Sequence, residues 1–227
     1  MISDQDVSNY RVSITRCRQC VGKSKRFRVF AASRFGLGNM NQPKVMLIGP
    51  QPPREVTRCQ YGAFRLHYLD PKYDEIKDRA DRLVYELFAG RLGLDIKQDV
   101  FATPAFKCPM HHDMNPPPHM AVDCMRRHLR FEFEQVAPKS VVAIGTLAHL
   151  AMDYAVLSLG MHACTGYKTK LYGGRSYARA RWLDNGKNVA YVSLPLPYEL
   201  QTGYVSDERW LDVSEEVLLN VDAFRGN

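Results

Sequence analysis

The chain has 227 residues and a mass of 25.9 kDa, with 31 Lys and Arg against 24 Asp and Glu, a net charge of +7 and a pI near 9.1. At 45% hydrophobic and 24% charged residues it falls outside the disordered and fibrous classes, and its length supports one full core without disulfide staples. No run approaches the roughly 20 apolar residues of a membrane span.

The start, MISDQDVSNY, lacks the charged-then-apolar pattern of a leader, so a cytoplasmic, reducing location is expected. There the six cysteines serve as ligands or core residues before disulfides. Residues 11–43 form a basic N-terminal segment. Between Arg11 and Arg34 it holds eight Lys or Arg (Arg11, Arg16, Arg18, Lys23, Lys25, Arg26, Arg28, Arg34) and no acid. Next comes 44–48 (KVMLI), the first of four short apolar runs; the others are 99–103 (DVFAT), 140–144 (SVVAI) and 188–193 (NVAYVS). Each is too short for a helix and lacks polar alternation, which predicts strands buried on both faces. Helical periodicity fills the gaps at 77–90, 121–136 and 146–157, with a last helix at 207–224 capped by Ser206 or Asp207.

Strands alternating with helices predict one α/β domain over residues 1–227, a three-layer α/β/α sandwich around a mainly parallel four-stranded sheet. Ligands of such folds bind beyond the carboxyl ends of the strands, so 49–55, 104–108 and 194–197 should converge on one cleft. A second stretch, 154–183, also lacks acids. It carries Lys168, Lys170, Arg175, Arg179 and Arg181, interleaved with Tyr167, Tyr172, Tyr177 and Trp182. Cations that neutralise phosphates beside rings that stack on bases point to nucleic acid; two solvated basic loops are the alternative. No obligate protein partner is implied.

Cys17 and Cys20 form a C-x2-C, the usual spacing for two thiolates on one centre. Cys108 follows the second strand, and Cys124 stands sixteen residues later. Together they suggest a four-cysteine site for zinc or an iron–sulfur cluster. Unligated core cysteines are the alternative, and Cys59 and Cys164 lack partner spacing.

Lys107-Cys108-Pro109, Asn115-Pro116, Cys124, Leu129 and the run from Pro138 to Gly145 (PKSVVAIG) with Ala148 resemble the iron–sulfur branch of the uracil-DNA glycosylase superfamily. VMLIGPQPP at 45–53 looks like that branch's first motif, and Arg79-Ala80 through Leu92-Gly93-Leu94 looks like its following helix. The resemblance spans roughly residues 15 to 200. It implies a 4Fe-4S cluster in preference to zinc, held by Cys17, Cys20, Cys108 and Cys124, with a structural role at a DNA-facing loop.

Where that branch does its chemistry, this sequence departs. Pro50 stands at its Glu, and Gln51 stands where other branches use Asp or Asn. An amide orients water without taking its proton, which leaves Glu55 as the candidate base. Pro104 replaces the uracil-gripping Asn, and proline has neither a side-chain donor nor an N–H. Leu194 stands at the His that stabilises the leaving base. Gly49, Pro50, Pro52, Pro104 and Leu194 are the expected base pocket, with a ring from Tyr61, Phe64, Tyr68 or Tyr73. His111 and His112 are candidates for the DNA-facing loop, alongside Arg16, Arg18, Lys23, Lys25 and Arg26.

Losing one leaving-group donor costs about 3–4 kcal/mol of transition-state stabilisation. Ordinary uracil excision is therefore not expected. Three readings stay open: an enzyme that cleaves the glycosidic bond of a flipped-out base that is modified or other than uracil; a relative that transfers a group onto a modified pyrimidine of DNA, viral DNA for instance, without excision; and a silent DNA-binding protein.

Overall fold

The computed structural model describes residues 3–20, 36–50, 79–108, 116–158, 162–163, 168–172, 175–184, 189–196 and 206–219. In chain order the elements are α1 (Asp4–Thr15), β1 (Leu37–Gly38), β2 (Val45–Gly49), α2 (Arg79–Tyr85), α3 (Ile96–Asp99), β3 (Val100–Pro104), α4 (Pro118–Cys124), α5 (Arg130–Val136), β4 (Ser140–Ile144), α6 (Thr146–Ser158), β5 (His162–Ala163), β6 (Lys168–Tyr172), β7 (Arg175–Asp184), β8 (Val189–Leu194) and α7 (Asp207–Leu219). Two helices widen into π-helical turns, Glu86–Arg91 after α2 and Met125–Leu129 between α4 and α5.

The four apolar runs form the strands expected of them. β2, β3, β4 and β8 are buried at every position. They lie in the order β3-β2-β4-β8, all parallel. The chain steps from β2 to β3 on one side and then crosses back to β4 on the other. The reversal puts a crevice outside the carboxyl ends of β2 and β4, at Gly49 and Gly145. Gly145 takes φ +93°, a conformation suited to glycine, and its N–H donates to the Leu194 carbonyl (2.8 Å).

Side chains leave the sheet in two sets, as the two-residue period of a strand requires. Val45, Leu47, Val100, Ala102, Val142, Ile144, Ala190, Val192 and Leu194 pack beneath α2 and α7. Met46, Ile48, Phe101, Val141, Ala143, Val189 and Tyr191 pack beneath α1, α4–α5 and α6. The result is the three-layer sandwich.

Three features go beyond the sequence reading. Antiparallel strands extend the parallel core on both edges: β1 beside β3, and β7 beside β8 with β5 and β6 on its outer side. A helix, α1, occupies Asp4–Thr15, opened by a reciprocal Ser3–Asp6 cap, so the basic segment begins inside its last turns. The helix expected at 121–136 starts earlier, with Pro118 at its first position, and ends at left-handed Ala137 before Pro138.

Candidate metal centre and strand-end cleft

Cys17 and Cys20 follow the last turn of α1, where the Cys17 N–H donates to the Ile14 carbonyl (3.0 Å). Cys108 lies four residues past β3, and Cys124 is the last residue of α4. Three separate segments thus bring all four cysteines to the wall of one pocket of about 480 Å³, together with Gln19, Lys107, Asp123, Arg126, Arg127 and His128. Cys20, Cys108 and Cys124 are buried against Phe106 and Met120, while Cys17 is partly exposed. The Lys107 N–H donates to the Cys124 sulfur (3.4 Å). Burial pushes the Cys124 thiol up to about 12, against the pull of that N–H and of the Lys107 ammonium. His128 is pushed down to about 4, by burial first and then by Lys107 and Arg127, so it is a neutral imidazole at pH 7. Among the described residues, no group of three or more His, Cys, Asp or Glu is arranged to hold a metal ion.

Behind the pocket lies a buried polar cluster. The Lys107 and Glu132 side chains are 1% and 0% exposed and form an ion pair at 2.5 Å. Thr103 Oγ1 donates to both carboxylate oxygens (2.9 and 2.8 Å) and accepts from Lys107 Nζ. Tyr10 Oη donates to the same carboxylate, and the Tyr10 ring stacks on Phe131 with centroids 4.9 Å apart. Burial, then the Glu132 charge, holds the Tyr10 phenol well above its ordinary range. Burial pulls the Lys107 ammonium down, opposed by Glu132. Neither Lys107 nor Glu132 stood out as a polar core residue in the sequence, because Lys and Glu are read as surface groups by default.

At the strand ends, Gly49 pairs in register with Pro104 and Ile144 with Leu194. The ladder runs on past β2 and β3: Ala105 N–H donates to the Gly49 carbonyl (2.8 Å) and Phe106 N–H to the Pro50 carbonyl (3.1 Å). Gly49, Pro50, Pro104 and Leu194 therefore share one edge of the sheet. Leu194 is 1% exposed and packs into the core beneath α7. Trp210 Nε1 donates to the Pro195 carbonyl (3.1 Å), tying the residue after Leu194 to α7. Gln51, Pro52, Glu55, Tyr61, Phe64, Tyr68, Tyr73, His111, His112, Lys23, Lys25 and Arg26 lie outside the described residues.

A profile of the Uracil DNA glycosylase superfamily matches residues 35–209, well over half of the chain. The chain belongs to the uracil DNA glycosylase superfamily. Comparison with curated proteins finds no match. The matched region holds β1 to β8 with Cys108 and Cys124; α1, Cys17 and Cys20 precede it.

In this glycosylase-superfamily protein some of the described cations have carboxylate partners: Arg82 has Asp207 (3.6 Å), Arg91 has Asp212 (2.8 Å), Glu215 (3.0 Å) and Glu208, Arg130 has Glu134 (2.9 Å), and Lys44 has Asp99 (3.4 Å). Lys97, Lys139 and Arg209 are exposed and form no ion pair among the described residues. At the pocket, Arg126 and Arg127 are exposed without an ion pair among the described residues. Arg16 and Arg18 line an adjoining pocket of about 860 Å³ that Arg127 also borders. Arg18 donates to the Thr15 and Cys17 carbonyls (3.1 and 3.0 Å), closing the end of α1. Arg126 and Arg127 were not among the sequence candidates; their signal was their place just after Cys124, in a helix that widens there. For Lys168, Lys170, Arg175, Arg179 and Arg181 the description is of backbone alone. All five lie in the β6–β7 pair, where Arg179 is in register with Ser193 of β8. β7 is antiparallel to β8, so residues 175–178 run about 13 Å past that point on the carboxyl side.

Proposed function

We propose that this protein is an iron–sulfur enzyme that binds DNA and acts on a flipped-out base that is modified or other than uracil, by cleavage of its glycosidic bond. The observation that carries the reading is the pair Pro104 and Leu194 at the carboxyl ends of β3 and β8. Following the family resemblance, these are the two positions from which uracil is gripped and its leaving anion stabilised. One offers no side-chain donor, and the other is an alkyl group packed inward. The scaffold is that of the superfamily while these two positions carry no side-chain donor, which supports a different substrate.

In this reading Gln51 orients the water and Glu55 accepts its proton, while Gly49, Pro50, Pro52, Pro104, Tyr61 and Phe64 surround the base. A donor set of four cysteines on one pocket would suit a polynuclear cluster by the chemistry of its thiols. A single zinc ion would need all four sulfurs about 2.3 Å from one point. A 4Fe-4S cluster bound there supplies structural cross-linking between α1, the segment after β3 and α4. Arg16, Arg126 and Arg127, with Arg18 and the basic β6–β7 pair, supply phosphate contacts to DNA.

A second reading is favoured by Leu194 itself: without a donor for the departing base, the glycosidic bond can survive while a group is transferred onto a modified pyrimidine. One experiment separates the two. The protein is incubated anaerobically with oligonucleotides carrying uracil, hypoxanthine, 5-hydroxymethyluracil and related bases, and the products are weighed intact, with Gln51→Ala and Glu55→Ala beside the wild type. Loss of a base mass that either variant abolishes supports the glycosylase. A mass gain on an intact sugar bond supports transfer. Binding with no change in mass makes the protein a silent DNA binder. Iron and sulfide analysis tests the cluster, and zinc without iron would replace it.

A further inference from the structure

We infer that Glu132 is the positioning residue of the cysteine centre, a single buried carboxylate that ties together all three segments carrying the four cysteines. This rests on the reading of those cysteines as one metal centre.

The first link runs to α1. Tyr10 Oη donates to Glu132, and Tyr10 also stacks on Phe131, so the helix that leads into Cys17 and Cys20 is docked by a directional contact as well as by the apolar Ile14. The second link runs to the segment after β3. Lys107 Nζ is held by Glu132 and Thr103, the Lys107 main-chain N–H points at the Cys124 sulfur, and the next residue is Cys108. Fixing the Lys107 side chain therefore fixes the backbone on which one cysteine is mounted and the donor that aims another. The third link is covalent: Glu132 follows Cys124 by eight residues in the same helical run, across the π-helical turn.

Apolar packing could hold these segments near one another, but it is not directional. A carboxylate with two oxygens and partners from α1, β3 and the Lys107 segment specifies one mutual placement. Groups behind metal ligands commonly change metal affinity 10–100-fold when removed.

The test uses the full chain. Glu132→Gln keeps an acceptor but removes the charge, and the double variant Lys107→Met with Glu132→Leu replaces the pair by apolar groups that can still pack. Each is reconstituted anaerobically with ferrous iron and sulfide, and cluster loss to a chelator is followed by absorbance near 400 nm. Both variants are expected to lose the cluster about 10–100-fold faster than wild type, while the double variant, compared as apo protein, keeps most of the wild-type thermal stability. Tyr10→Phe gives a readout without metal: in the apo protein, alkylation followed by mass spectrometry should show Cys17 and Cys20 reacting faster, with Cys108 and Cys124 unchanged. A double variant that retains the cluster as well as wild type overturns the inference and leaves packing as the cause. Equal alkylation in Tyr10→Phe removes the α1 link. Wild type that takes up neither iron nor zinc on its thiols overturns the metal-centre reading, and this inference with it.

Discussion

Lys107 and Glu132 contribute to stability through their pairing, since either ion alone in that site would be a buried charge without compensation. Lys107→Met by itself is expected to cost about 3–5 kcal/mol in urea unfolding, and adding Glu132→Leu should recover most of that loss. Recovery below half would mean that the pair does more than cancel its own desolvation. Tyr10 gives a pH signature. Its folded phenol ionises above the ordinary value of about 10, so the native state keeps a proton that the unfolded chain releases. Its contribution is complete below that value and is lost as pH rises further. Wild type should therefore lose stability faster than Tyr10→Phe above about pH 10, with a constant gap between them at lower pH. A gap that also closes below pH 9 would contradict the burial of the phenol.

At the level of elements, the glycines with positive φ are not equivalent. Gly38 (φ +104°) runs so close to β3 that a Cβ would lie 2.2 Å from the Val100 carbonyl oxygen, whereas a Cβ on Gly93 (φ +61°) would meet nothing within 4 Å. Gly93→Ala is expected to cost about 1 kcal/mol of conformational strain. Gly38→Ala should cost clearly more, because β1 must move off β3, and paired thermal melts would read the difference. Legibility in the sequence follows the same local physics. KVMLI and SVVAI announce buried strands because they are continuous, β-branched and too short for a helix. α1 was missed because its buried positions, Tyr10 and Ile14 with partly buried Val7, come only once per turn among polar neighbours. The sequence marks 154–183 as basic and aromatic without assigning it a strand, because in RSYARARWLD cations alternate with small residues and rings and the charge obscures the strand period. The cysteine frame was legible by spacing; the carboxylate behind it was not, since only folding reveals a charged residue as buried.

For the whole molecule, the convergence of Arg16, Arg18, Arg126 and Arg127 on the two adjoining pockets at the cysteines predicts where DNA lies. Arg126→Ala with Arg127→Ala should weaken binding evenly across sequences and lower the slope of log affinity against log salt by about 1 per arginine. Arg82→Ala, on the far face with Asp207, should leave the slope alone. An unchanged slope in the double variant would move the contact elsewhere. On the proposal that the cysteines hold a metal centre, its removal should act locally as well. Hydrogen exchange of the apo protein is expected to show β2, β3, β4 and β8 still protected, and the amides of α1 exchanging faster.

The buried carboxylate also constrains descent. α1 and its two cysteines lie outside the region matched by the superfamily profile, while Glu132 and Lys107 lie inside it. A relative that lost the N-terminal C-x2-C would keep a charged pair with one fewer body to align, in a site where apolar side chains fold at least as well. Selection in such a lineage would no longer oppose their replacement. The two positions should then have changed together, to residues such as Met and Leu, because an ancestor carrying only one of the changes would have had to survive with a lone charge in its core.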